Sequence, residues 1–202
     1  MRQVTDGSTG QGGEYPRAVA SPIVLGRALD DSYPVEVRRN ITLLTAARTT
    51  ANACYRFAPP FLATIARDVD VSLDDLGLAL AVSELTGLLS PLTGRVVERL
   101  PRRSAMAIGL AGVAAGTVLA ASSPGLVLFA VGLVILGQSK VVFDLGLAAW
   151  LADHVEYERR GRVVGLTETS WAFGLLIGVS VMGLVTGVSS WRWGYGVGAA
   201  TV

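Results

Sequence analysis

Five long apolar stretches follow one another between Ile41 and Val202, and the short connections joining them alternate in charge. The connections of one set carry Arg38 and Arg39, then Arg95, Arg99, Arg102 and Arg103, then Arg159, Arg160 and Arg162. The intervening connections are acidic or neutral, with Asp68, Asp70, Asp74 and Asp75 in one and Ser122-Ser123-Pro124-Gly125 in the other. Arginines hold a loop in the cytoplasm, so alternation of this kind is expected of helices that cross a bilayer in antiparallel succession. An all-α polytopic membrane protein is therefore the expected fold class. A soluble bundle would place polar residues every third or fourth position along its solvent faces. Ala105 to Ala121 and Leu126 to Ser139 carry no charged side chain at all.

A crossing helix needs about 20 apolar residues. That length predicts spans at about 41–65, 76–97, 105–121, 126–151 and 163–185, with a partial sixth at 194–202 that is too short to cross, as if truncated. Thr5 to Gly13 is rich in Gly, Ser, Thr and Gln, and residues 1–39 lack a continuous apolar run, which predicts a disordered cytoplasmic tail followed by a transmembrane domain over 40–202. The charged fraction of 16% agrees with a membrane chain, because soluble domains carry about a quarter. Cys54 is the only cysteine and lies inside a span, which excludes an intramolecular disulfide. His154, the only histidine, is expected to be a solvated loop residue. Trp191-Arg192-Trp193 reads as an interfacial belt on the side opposite the arginines.

Six ionisable residues fall within the predicted spans: Arg48, Arg56, Glu84, Lys140, Asp144 and Glu168. Charge in the hydrocarbon is expensive, so each is expected to pair or to face a wet cavity. At 1.5 Å rise per residue, Arg56 and Glu84 lie about 13 and 12 Å from the same face, within reach of one another. Arg48 and Asp144 each lie about 10 Å from the opposite face, and Glu168 about 8 Å. Lys140 and Asp144, spaced i and i+4, share one helix face. Thr45, Arg48, Asn52 and Tyr55/Arg56 recur every three to four residues as one polar stripe. Such a stripe either lines a substrate or proton pathway or forms a salt-bridge network that fixes helix register. Pro59-Pro60 either kinks the first helix at a cavity mouth or ends it near Phe57.

The second–third connection reads Gly94-Arg95-Val96-Val97-Glu98-Arg99-Leu100-Pro101-Arg102-Arg103. This resembles the loop signature of the major facilitator superfamily: a Gly, three intervening residues, an Asp-Arg pair, then Gly-Arg-Arg. Gly94, Arg99, Arg102 and Arg103 match, while Glu98 stands for the usual Asp and Pro101 for the usual Gly. Asp153 with Arg159-Arg160-Gly161-Arg162 is similar to that family's fourth–fifth loop, and Trp191-Arg192-Trp193 to the segment before its sixth helix. Gly174, Gly178 and Gly183 resemble its glycine motif for antiport, with Val179 where Pro is usual. Leu133 stands where the fourth helix often carries Arg, and Lys140 is the candidate to replace it.

The resemblance implies the amino-terminal six-helix bundle of a secondary transporter of small molecules, efflux-like and driven by protons, in the plasma membrane with its amino terminus cytoplasmic. Arg48, Asn52, Tyr55 and Arg56 then line the cavity, Glu84 and Asp144 are candidate proton carriers, and Lys140 tunes Asp144. The alternative is an inactive half or an interaction subunit, completed by a carboxy-terminal half or a second copy. No nucleotide-binding loop occurs: Gly194, Gly196 and Gly198 are expected to serve helix packing. Neither a cofactor, a metal site, catalytic residues nor a nucleic-acid partner is expected; the bilayer and a small solute are.

Overall fold

A computed structural model describes residues 24–202. Among these the chain is helical without strands. Helix α1 spans Val35–Arg56, and after a 3-10 turn at Pro59–Phe61 the chain resumes as α2, Leu62–Val69. Of the two expectations for the proline pair, the end of the helix near Phe57 is the one seen. The pair ends α1 at the donors it cannot supply and redirects the chain into a second helix. Asp70 closes α2 in the left-handed conformation, and Ser72 caps the next helix by accepting the Asp75 N–H at 3.0 Å.

Four helices are long and apolar enough to cross a membrane: α3, Leu73–Val97; α4, Arg102–Ala121; α5, Leu126–His154; and α6, Tyr157–Val188. Helix α1 has 22 residues but is more polar, and α7, Trp191–Thr201, has 11. Helix α3 passes through a 3-10 turn at Thr86–Leu89, and α6 through a π-helical turn at Gly174–Val179.

Very close backbone approach joins α4 to α5. A Cβ placed on Gly109, Gly116 or Gly132 would lie 2.6, 2.5 or 2.7 Å from the backbone nitrogen of Phe143, Leu136 or Ala120 respectively. These pairings run in opposite directions along the two helices, so α4 and α5 are antiparallel and packed at the distance small residues permit. Helix α6 packs along α1 in parallel, with Gly174 against Asn52 and Thr49 and Gly178 against Ala53, and Gly183 meets Phe61 in the turn beyond α1. The glycines that resembled an antiport motif are thus the α1–α6 seam. Gly194 and Gly198 seat α7 against Phe57, Met182 and Cys54, which is packing rather than nucleotide chemistry.

Two apolar clusters hold the bundle, one at each end. The cluster at the Asp68 end gathers Cys54, Phe57, Leu76, Phe129, Trp191 and Tyr195. The other, at the arginine-rich end, gathers Leu29, Val37, Ile41, Phe143, Trp150 and Val163. Arg48 lies on α1 between Ile41 of one cluster and Ala51 of the other.

Three expectations change. Residues 1–23 of the expected tail lie outside the described residues, but 24–39 differ from it. Val24–Ala28 forms a 3-10 turn, Leu29 and Tyr33 are buried, and α1 already begins at Val35. Burying Leu29 and Tyr33 under the bundle removes apolar surface that a free tail would leave in water. His154 is not a solvated loop residue. It ends α5, stacks on Trp150 at 4.4 Å, sets Nδ1 2.8 Å from the Trp150 carbonyl and Nε2 3.6 Å from Glu36.

The third change concerns the tryptophans. Trp193 is 66% exposed, as a belt residue would be, but Trp191 is 1% exposed. Its Nε1 donates to Asp68 at 2.9 Å, and Arg192 donates to the same carboxylate oxygen at 2.9 Å. The other Arg192 nitrogen donates to the Ala121 and Ser123 carbonyls at 3.0 and 2.6 Å. One arginine thereby ties together the three connections at this end. Arg192→Ala should lower stability by about 1–2 kcal/mol, read as a melting shift of a few degrees in detergent. Arg192→Lys should restore only a small part of it, because an ammonium lacks the fork that spans both carbonyls and the carboxylate.

Candidate functional site

The polar stripe of α1 meets partners on three other helices. Arg48 is the centre of the first group. Its Nε donates to Asp144 of α5 at 3.0 Å and its Nη1 to Glu168 of α6 at 2.6 Å, with a further contact to the Thr167 carbonyl at 3.3 Å. Lys140 donates to the other oxygen of Asp144 at 2.6 Å. Two cations and two carboxylates thus form one chain linking α1, α5 and α6. The Arg48 and Lys140 side chains are largely buried, whereas Glu168 is half exposed. A cleft of about 190 Å³ between α5 and α6 borders this group, lined by Arg48, Asp144, Leu151, Arg160, Thr167 and Glu168.

The second group lies one to two turns further along α1. Asn52 donates to the buried Ser170 hydroxyl of α6 at 3.1 Å. Tyr55 donates its hydroxyl to Glu84 of α3 at 2.6 Å, and its ring lies 5.6 Å from the Lys140 ammonium. The Arg56 guanidinium stands 5.1 Å from the Tyr55 ring centre and 4.6 Å from that of Trp171. The equal depths of Arg56 and Glu84 suggested an ion pair, and none forms. Adjacent residues on a helix point about 100° apart, so Tyr55 faces α3 while Arg56 faces α6.

All seven candidate pathway residues, Arg48, Asn52, Tyr55, Arg56, Glu84, Lys140 and Asp144, therefore fall into two adjoining groups. Trp171, Ser170 and Gln138 were missed. Gln138 contacts the Thr86 carbonyl and lies 3.4 Å from the Thr93 hydroxyl, which ties α5 to α3 where α3 departs from regular α-helix. Thr167, Ser170 and Trp171 repeat at three and four residues, a polar stripe on α6 that would have pointed to them.

The loop motif separates into parts. Arg102 pairs with Asp153 at 2.9 Å, joining the start of α4 to the end of α5, and Arg103 pairs with Glu36 of α1 at 2.7 Å. Among the described residues Glu98 and Arg99 have no ion-pair partner, and a Cβ on Gly94 would meet open space. Among those residues, too, no three His, Cys, Asp or Glu side chains converge as a metal ion requires.

Comparison with known proteins gives a consistent picture. A family profile described as Major Facilitator Superfamily matches residues 43–202. The chain is 33% identical over 159 residues to a putative transporter, YgaY, of Escherichia coli K12, an alignment covering 75% of this chain and 39% of that protein. It is 27% identical over 135 residues to an MFS-type transporter, YwfA, of Bacillus subtilis strain 168, covering 66% of this chain and 33% of that protein. The chain thus spans well under half the length of these relatives.

Proposed function

The chain belongs to the major facilitator superfamily, and on that premise we propose that its bundle forms one wall of a proton-coupled secondary transporter for a small molecule. The observation that carries this reading is the Asp144 carboxylate held between Arg48 and Lys140. A proton arriving on Asp144 competes with both cations for the same two carboxylate oxygens, so its binding and the contacts that tie α1 to α5 are alternatives. Helix movement and proton binding are then the same event. Glu84, held by a neutral hydroxyl rather than a cation, is the second proton-binding acid, facing the pathway. The relatives' printed names, transporter in both cases, support carriage rather than catalysis.

The arginine-rich end is the cytoplasmic one in this reading, and the plasma membrane of a bacterium, with export as the direction, is the expected setting. The opposite wall comes from a further helical bundle, in the same polypeptide, in a second one, or in a second copy.

Proteoliposome flux across an imposed pH gradient tests the reading. Asp144→Asn and Glu84→Gln should each lower gradient-driven flux by about tenfold or more while leaving exchange of solute against solute measurable. Lys140→Ala should also lower gradient-driven flux, because Asp144 loses one of its two cations. Gradient-driven flux at the wild-type rate in both carboxylate variants would remove proton coupling at these residues.

A further inference from the structure

The intramembrane charges do not balance locally. Arg48 engages two carboxylates, Lys140 engages one of the same two, and Glu84 is taken by Tyr55. Arg56 is left. Among the described residues no carboxylate lies within ion-pair distance of it, and its Nε is buried with no hydrogen-bond partner. Instead, Tyr55 and Trp171 approach its guanidinium at 5.1 and 4.6 Å. Aromatic rings attract a cation but accept none of its in-plane hydrogen bonds as strongly as an oxygen does. A partly buried guanidinium with two rings against it, whose Nε is buried without a hydrogen-bond partner, is a site for an anion.

We propose that Arg56 binds the anionic group of the transported solute, and that this solute is a small organic anion whose apolar body lies along Trp171 and Tyr55. This assignment rests on the transporter reading above. A guanidinium presents two parallel N–H donors that match a carboxylate, and rings beside it suit a flat or apolar body next to that carboxylate. Glu84 accepts a hydrogen bond from the Tyr55 hydroxyl at 2.6 Å and so stands at the hydroxyl end of the same ring. The anion site and the carboxylate proposed above to carry a proton are therefore neighbours, joined through Tyr55.

Trp171 supplies the probe, because its indole lies against Arg56. The full chain, purified in detergent, is titrated with iodide as an anionic quencher and with caesium as a cationic one. The Trp171 signal is isolated as the difference from Trp171→Phe. Iodide should quench that signal saturably and caesium should not. Arg56→Gln should raise the half-saturating iodide concentration by about tenfold or more, and Arg56→Lys should keep it within about threefold, which separates lost charge from lost folding. Benzoate should displace iodide, and benzyl alcohol, the uncharged counterpart, should not.

Linear iodide quenching that is the same in Arg56→Gln, or equal competition by benzyl alcohol, overturns the assignment. Proteoliposome flux keeps the two levels apart. Gradient-driven flux of a neutral or cationic solute, unchanged by Arg56→Gln, leaves a transporter and removes the anion assignment. Saturable iodide binding that depends on Arg56, with no flux of benzoate or of any other solute offered, keeps the anion site and removes the transporter reading.

Discussion

Arg48→Gln should lower gradient-driven flux by about 100-fold and destabilise the bundle by about 3 kcal/mol, the largest functional effect expected of any single side chain here. Arg48 joins α1 to both α5 and α6, so its removal leaves two carboxylates facing one cation, Lys140. Breaking one side of a buried pair costs more than the pair contributes, because a charge is left without a partner. The half-exposed Glu168 carries the smaller share of that penalty, since water reaches it.

The double variant Arg48→Gln/Glu168→Gln distinguishes the two roles open to this network. It restores one cation to one carboxylate, so melting temperature in detergent should recover most of the loss. If the network only fixes helix register, flux should return with stability. If it couples proton binding to helix movement, flux should stay low, because Asp144 then has Lys140 as its sole cation and α6 is no longer held through Glu168. Recovery of both stability and flux in the double variant would reduce the network to a structural one.

Gly116→Val should prevent accumulation of folded protein, the largest structural effect expected. A Cβ at this position lies 2.5 Å from the Leu136 nitrogen and 2.8 Å from the Gly132 carbonyl oxygen, so the obstacle is backbone rather than a side chain that can turn aside. Separating α4 from α5 also opens the contacts at Gly109 and Gly132, which occur along the same seam. The cost should exceed about 3 kcal/mol, beyond the usual range for overpacking, because the obstacle is backbone that cannot turn aside. Gly165 on α6 is the control, since a Cβ there meets nothing within 4 Å. Gly165→Ala should be neutral or stabilising by about 0.5–1 kcal/mol, because alanine loses less backbone entropy in a helix. The yield of monodisperse protein in size exclusion separates the two variants, and a melting curve in the same detergent places Gly165→Ala against the parent.

These effects differ in how far they were legible beforehand. Depth along a helix follows from residue count, and the matching heights of Arg48 and Asp144 anticipated their contact at 3.0 Å. The same arithmetic paired Arg56 with Glu84 and failed there, because height carries no information about which way each helix is turned. Tyr55, one residue away, took Glu84 instead. The fork of Arg192 was hidden for a related reason. Its partners, Asp68 and the Ala121 and Ser123 carbonyls, come from two other connections, and backbone carbonyls leave no trace in a sequence. Trp191 read as a belt residue by type and turned out to be buried by position.

The sequence by itself determined what depends on counting and on sign. Apolar length indicated five spans, four of which are helices long and apolar enough to cross while the first, 41–65, is divided between α1 and α2; loop arginines marked one end of the bundle, and the charges in the spans named the residues that had to meet something. Tertiary structure alone decided their partners, because each helix can rotate about its axis at no cost visible in its own residues. Packing of the α4–α5 and α1–α6 glycine seams fixes those rotations, and with them which cation is neutralised and which, at Arg56, has no carboxylate within ion-pair distance among the described residues.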